Sequence, residues 1–319
     1  MRSPLDWRPR GLVRALGMPV AVAIERAARL SGRRVGIALL YHRVDDPAGD
    51  PAREIVPAIG TALFDSQLRH VARRYHVVLA SELHAAAAAR RRGERFPVAI
   101  TFDDDHPALA GRALPALRRA GLRATFYLTG ASLEHPFRFW WEHLQLAGGY
   151  GIGDLSERLG IPGRDVHKLS EAIQALPPAR RAEVAERLRS LAGPDPPDAR
   201  LPPEDVRALV AAGCELGFHT RDHEPLPTLD DDALLQALTA GREALEALAG
   251  RPLETIAYPH GRTDERVTAA ARAAGFTTGF TTVPEAVRPE TDPLLQGRLL
   301  PSFHSAGHFA LQLARRLLT

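Results

Sequence analysis

The chain has 319 residues, 45% of them apolar and 25% charged, with a mean hydropathy of -0.17. That supplies a sizeable core for one large domain or two ordinary ones, and it excludes both wholesale disorder and a membrane bundle. Net charge is only +3 despite a pI of about 9.4, and with 41 basic and 38 acidic residues interspersed the balance does not describe a nucleic-acid surface. Lys168 is the single lysine, so the positive charge is almost entirely arginine. The one cysteine, Cys214, cannot form an internal disulfide, and no Cys-x-x-Cys pair is present to hold a metal.

In chain order, residues 1–34 read as an N-terminal helical extension ahead of one domain over residues 35–319. The stretch 11–30 contains an apolar run, but Arg14 and Glu25 bracket only about ten uncharged residues, against the roughly 20 that a bilayer requires. Two readings remain for it: an amphipathic helix packed on the domain, which is preferred, or peripheral contact with an acidic membrane face. No convincing cleavage site follows. With no disulfides either, the expected location is the cytoplasm, with membrane association or export as alternatives.

Strands are predicted at Val35–Tyr41, His76–Leu79, Pro97–Phe102, Ala124–Leu128, Glu215–Phe218, Thr255–Tyr258 and Thr277–Phe280. Between them fall helices at Phe64–Arg74, Pro107–Ala120, Asp231–Leu248 and Asp264–Ala274, with Gly121 and Gly275 suited to left-handed caps. Ala85–Ala89 with Arg90–Arg92 reads as a solvated helix. Nearly continuous apolar strands such as VGIALLY and VAITF indicate burial on both faces, as in a parallel sheet. About seven β–α units predict an α/β barrel or doubly wound sheet with active residues at the strands' C-terminal ends. Residues 132–203 break the rhythm and read as a helical insertion of roughly 70 residues, since a structureless loop of that length is improbable. Its start, FRFWWEHL, holds Trp140 and Trp141, which as neighbours on a helix cannot share a face. Core packing is the simpler role for both, with one free to face a groove.

Four constellations could carry chemistry. Asp103, Asp104 and Asp105 follow the buried run VAITF, and three carboxylates there repel one another unless a cation neutralises them. Capping of the next helix accounts for one of them, or two. His219 and His223 are spaced i, i+4, so on a helix their imidazoles would meet on one face. Such pairs also arise by chance among 13 histidines. Two imidazoles and one carboxylate make a three-ligand site with open positions, the pattern of a hydrolytic metal centre. The turn Tyr258-Pro259-His260-Gly261 can aim a backbone N–H at an oxyanion, or can be an ordinary strand-to-helix turn. His42, ending the first strand, either borders the same mouth or satisfies a loop carbonyl.

The ordered motifs YHRV, TFDDD, ATFYLTG, HTRDH and AYPHG resemble those of the polysaccharide deacetylases of the NodB-homology type, carbohydrate esterase family four, over about residues 36–310. The resemblance implies a distorted (β/α) barrel of about seven parallel strands, carrying here a helical insertion. It also implies hydrolysis of the acetamide of an N-acetylated sugar or of acetyl esters on xylan. Position by position it implies Asp103 as general base, and Asp104, His219 and His223 as ligands of a divalent metal, Zn2+ above all. His260 would offer its backbone N–H to the oxyanion. The substrate partner is then an N-acetylated glycan.

Three departures qualify the match. Asp105 stands where the family has glycine, either crowding the site or accepting hydrogen bonds behind it. Ala257 replaces the arginine that holds the base, leaving Arg43 or Arg298 to do so. The late Leu-x-His motif of the general acid has no clean match, so His304 is preferred and His42 is the other contender. The leading expectation is a metal-dependent sugar N-deacetylase. The alternatives are an O-acetyl esterase on the same site, and an inactive carbohydrate-binding homologue.

Overall fold

A computed structural model describes residues 10–134, 136–148 and 151–319, with side chains from Gly17 onward; the first nine residues of the extension lie outside it. Seven strands form one sheet in which every strand pairing is parallel: β1 (Ile37–Tyr41), β2 (His76–Val78), β3 (Pro97–Asp103), β4 (Thr125–Leu128), β5 (Glu215–Phe218), β6 (Thr255–Ala257) and β7 (Thr278–Phe280). β3 is buried at every position and pairs with three other strands. β1 takes one of its edges; β2 and β4 share the other, against residues 97–99 and 101–103 in turn. The register sets Tyr41 beside Phe102 and Phe102 beside Phe126, and their rings stack at 5.4 and 4.9 Å in the layer under the helices.

The sheet closes through a stretch with no strand signature. Past β7 the chain runs back between β7 and β1. Gln296 exchanges hydrogen bonds with Gly279 and Thr281, and Leu299 does so with Ala38 and Leu40, at 2.8–3.0 Å. The result is a distorted barrel whose interior is lined by Ala38, Ala99, Tyr127, Ala257 and Phe280. The closing segment carries Arg298 inward, where it is 1% exposed.

The insertion is helical as expected, but holds four helices: α5 (Trp140–Ala147), α6 (Ile152–Leu159), α7 (Val166–Gln174) and α8 (Pro178–Ala192). Leu144, Leu155, Leu169, Ile173, Val184 and Leu188 give it a hydrophobic core of its own. Three other expectations are corrected. Asp231–Leu248 is two helices, α10 (Asp231–Thr239) and α11 (Arg242–Ala249). They break at Gly241, φ +76, because its backbone approaches Gly130 so closely that a Cβ there would lie 2.4 Å from the Gly130 carbonyl oxygen. Pro107–Ala120 is a wide π-type turn at Leu109–Ala113 followed by α4 (Leu114–Ala120). Arg90, read as solvated beyond α3 (Ala80–Ala89), is buried. It donates to the carbonyls of Arg29, Ser31, Arg33 and Glu94 and covers the Phe96 ring.

The N-terminal helix α1 (Arg10–Arg29) packs on α13 (Ala306–Arg316) through Ala21, Ala310 and Ala314, with Gly17 against the Gly307 backbone. No described helix is long and apolar enough to cross a membrane. Buried Glu25 ties α1 to α2 (Thr61–Arg74) and the residue after it, meeting His70 Nε2 at 2.8 Å, Arg74 Nε at 2.9 Å and Tyr75 Oη at 2.7 Å. Glu25→Ala leaves those groups without their acceptor. It is expected to cost about 1–3 kcal/mol in urea unfolding while leaving the activity of the folded fraction unchanged.

Candidate active site

The two-residue period of β3 puts Thr101 and Asp103 on its interior face, where one guanidinium reaches both. Arg298 grips the Asp103 carboxylate in a two-pronged pair at 2.5 and 2.6 Å. It also donates to Thr101 Oγ1 at 3.3 Å and to the Thr281 carbonyl at 3.1 Å. Burial alone would raise the Asp103 pKa, but the Arg298 charge, the nearby His219, the Arg298 hydrogen bonds and His42 together outweigh it and hold the carboxyl below the ordinary range. Of the two arginines the sequence offered, Arg298 is the one that holds Asp103; Arg43 pairs with Asp45 at 3.1 Å.

Immediately after β3 the chain enters a left-handed turn at Asp104, φ 67, which throws its carboxylate away from Asp103 toward β5. Thr220, His223 and His260 are also left-handed, at φ 63, 57 and 56. These are all the non-glycine residues of that kind among the described residues, and all four lie at this mouth. Each costs of order 1 kcal/mol or more, a pattern typical of functional sites.

These turns, and not a helical face, bring the histidine pair together. His219 leaves β5 directly and its Nδ1 lies 2.8 Å from the Ala257 carbonyl. A carbonyl can only accept, so Nδ1 carries the proton and the Nε2 lone pair faces Asp104. Oδ1 of Asp104 lies 3.6 Å from His219 Nε2 and 3.6 Å from His223 Nε2, with the imidazole centroids 4.7 Å apart. One ligand atom from each of the three residues falls within 4.8 Å of the others.

The electrostatics fit a cation. Burial and the neighbouring Asp103 and Asp105 push the Asp104 carboxyl well above its ordinary pKa. Its Oδ1 has no hydrogen-bond partner, nor does Nδ1 of buried His223. Burial, then the adjoining His219 and His260, drive His223 strongly toward its neutral form. A carboxylate oxygen and two imidazole lone pairs, desolvated and converging, are the donor set of a divalent ion such as zinc.

Asp105 does not crowd this point. It turns back to accept from the Thr129 N–H at 2.9 Å and hydroxyl at 2.6 Å, tying the ends of β3 and β4 together, and burial raises its pKa to about 6. His42, at the end of β1, shares a cleft with Asp104 and Trp141. Burial pushes its pKa down to about 4, with opposing pulls from Asp103 and Arg298. His260 follows β6 with its ring 4.7 Å from that of His223. The next residue must be glycine: at Gly261, φ +67, a Cβ would strike Thr282 Oγ1.

His304 is not brought to the cluster. The apolar run before it closes the barrel through Leu299, and the chain then leaves toward α13, so His304 is exposed with its ring 5.5 Å from His308. What the sequence did not announce is the roof. Trp141 of the insertion, 4% exposed, lies 4.6 Å from the His223 ring and 6.1 Å from that of His260, stacked on Phe139 at 4.3 Å. Buried Arg200 supports Phe139 from 4.1 Å and pairs with Glu142 of α5. Trp140 instead packs against the insertion's own core. The aromatic density of FRFWWEHL was the available signal; which tryptophan turned inward depended on how α5 docks.

A parallel barrel that gathers a carboxylate and two imidazoles beside an arginine-locked aspartate at its strands' C-terminal ends defines a hydrolase scaffold. The sequence model of the polysaccharide deacetylase family matches residues 90–279, more than half of the chain, and the chain belongs to that family. The fold agrees. A Streptococcus pyogenes deacetylase, PplD, in complex with acetate, aligns with a TM-score of 0.61 at 17% identity, over 87% of this chain and 97% of that one. IcaB from Ammonifex degensii aligns at 0.58 and 17% identity, over 89% and 97%. A de-N-acetylase from Aggregatibacter actinomycetemcomitans aligns at 0.54 and 15%, over 84% and 95%. No curated protein matches the sequence.

Proposed function

We propose that the protein removes N-acetyl groups from N-acetylated sugar units of a polysaccharide or glycan precursor, using a divalent metal, best zinc, held by Asp104, His219 and His223. The observation that carries this reading is the convergence of one carboxylate oxygen and two imidazole nitrogens, from Asp104, His219 and His223, beside Asp103. Among the proteins that share the fold, one is a de-N-acetylase by name, which favours the amide over the ester. When bound, such an ion supplies Lewis acidity, polarising a carbonyl and making water a better acid.

The rest falls to the chain. Asp103, kept ionised by Arg298, accepts the proton of the attacking water as its oxygen bonds to the acetyl carbon. The His260 turn offers its backbone N–H to the oxyanion that develops on the acetyl oxygen. Breaking the C–N bond returns a proton to the amine nitrogen. His42, at the end of β1 in the cleft it shares with Asp104, is the donor the geometry offers. Burial keeps it neutral at rest, so the proton it delivers is the one Asp103 took from the water, handed on to His42 before the C–N bond breaks. Trp141 and Phe139 exclude solvent above His223.

The test is acetate release from N-acetylchitotriose and from acetylxylan by zinc-loaded and chelator-treated protein. Release from the chitin oligomer only, and only with metal, is expected. Release from acetylxylan alone, or equal release in chelator, would reject the assignment. For the proton donor, His42→Ala is expected to lower kcat by about 10²–10⁴, whereas His304→Ala leaves it within twofold; the reverse ranking would return the acid role to His304.

A further inference from the structure

One buried cation near the Asp104, His219 and His223 cluster enters no ion pair among the described residues. Arg181 lies on α8 of the insertion, 6% exposed, and lines a cleft shared with Trp140, Gln174, His223, Glu224 and His260. Its Nη2 has no hydrogen-bond partner, and Nη1 makes only a long bond, 3.4 Å, to the Leu176 carbonyl. Among the described residues no ion pair engages it; Asp222 and Glu224 border the same cleft, and Asp222 pairs with Arg221 at 3.3 Å. Other arginines with an idle nitrogen are anchored elsewhere. Arg43 meets Asp45, Arg200 meets Glu142, and Arg90 serves four carbonyls.

An unpaired buried charge costs several kcal/mol, and native proteins rarely leave one uncompensated. A fixed guanidinium fork matches a carboxylate or phosphate through paired N–H donors. The cleft around it also suits a sugar. Trp140 offers an indole face, Ala182 and Ala185 keep the α8 wall low, and the opening continues past them to Arg189. It reaches the reacting centre through His223 and His260.

We propose that this cleft takes an oxyanion carried by the substrate glycan, a carboxylate or a phosphate, on or beside the sugar unit that is deacetylated. Arg181 pairs with that oxyanion while Trp140 stacks on the ring. The substrate class is therefore an acidic glycan. This rests on the deacetylase reading above, and deepens it.

The test compares three probes on the full zinc-loaded chain: N-acetylchitotriose, which is neutral; a hyaluronan tetrasaccharide, which carries carboxylates; and N-acetylglucosamine 1-phosphate. Calorimetry gives Kd and acetate release gives kcat/KM. One acidic probe is expected to bind at least tenfold more tightly than the neutral oligomer, and which one does so identifies the group. Arg181→Gln is expected to bring that ratio near one, and Arg181→Lys to keep part of it. Equal binding of neutral and acidic probes by the native chain, or an Arg181→Gln loss that falls equally on both, overturns the proposal. Affinity is read without turnover. A preserved acidic preference with no acetate from any probe would therefore strike the proposed reaction and leave the Arg181 assignment standing.

Discussion

Replacing Arg298 with methionine is expected to lower kcat/KM by at least about a hundredfold and to destabilise the fold by about 3–5 kcal/mol. The two losses share one cause. Asp103 lies in the barrel interior with both oxygens on Arg298, so removing the guanidinium leaves an uncompensated buried carboxylate. The carboxylate escapes that penalty by taking up a proton, and a protonated Asp103 can no longer accept one from water. The sign with pH follows. The native pKa of Asp103 lies below its ordinary value of 3.8, so the pair contributes stability above that value and loses it as pH falls through the native one. Denaturant unfolding of both proteins should show a gap that is full at pH 7 and narrows below about pH 4. In the variant the acid limb of the kcat/KM profile should move upward. Arg298→Lys keeps the charge without the fork and should fall between. If the methionine variant kept the native rate, Asp103 would not be the base.

How much of this was legible beforehand divides along physical lines. The strands were visible because parallel strands buried on both faces read as short apolar runs between helices and turns; β2, only partly buried, is the exception. The closing segment was not. Gln296-Gly297-Arg298 has no alternation and pairs through single bridges dictated by the barrel, not by its own propensity. Arg298 could be named only as one of two arginines able to replace the one missing at Ala257. The structure explains the exchange: the position of Ala257 is a small interior one, and the cation arrives instead from across the barrel. Asp104, His219 and His223 were named from motif order, and the structure gathers the three side chains at one point. The i, i+4 spacing suggests a helical face for the histidine pair, but left-handed turns at Thr220 and His223 bring the two rings together instead. His304 drew attention by following an apolar run, yet that run serves barrel closure. His42 is brought to the mouth because β1 borders β3, a pairing that sequence distance conceals.

Asp104→Asn is expected to abolish acetate release, and its stability should reveal the reason. In chelator-treated protein the Asp104 carboxyl is buried beside Asp103 and Asp105, and its pKa stands well above the ordinary value. The folded chain therefore binds a proton there that the unfolded chain releases, so native stability in chelator should fall as pH rises from about 4 toward neutrality. The asparagine variant, which has no charge to suppress, should lose that contribution and be the more stable of the two in chelator at pH 7. Zinc should reverse the order. At a free concentration about 100 times the native Kd, binding to the folded state alone adds about 2.7 kcal/mol. A variant whose affinity is a hundredfold weaker gains only about 0.4 kcal/mol. That outcome would mean that the ion takes the place of the proton on a carboxylate the fold has desolvated. Thermal or urea unfolding of both proteins with zinc and with chelator decides it. An equal zinc-dependent rise in both, or the same pH slope in chelator, would mean that Asp104 is not the ligand and that its orphaned oxygen has another purpose.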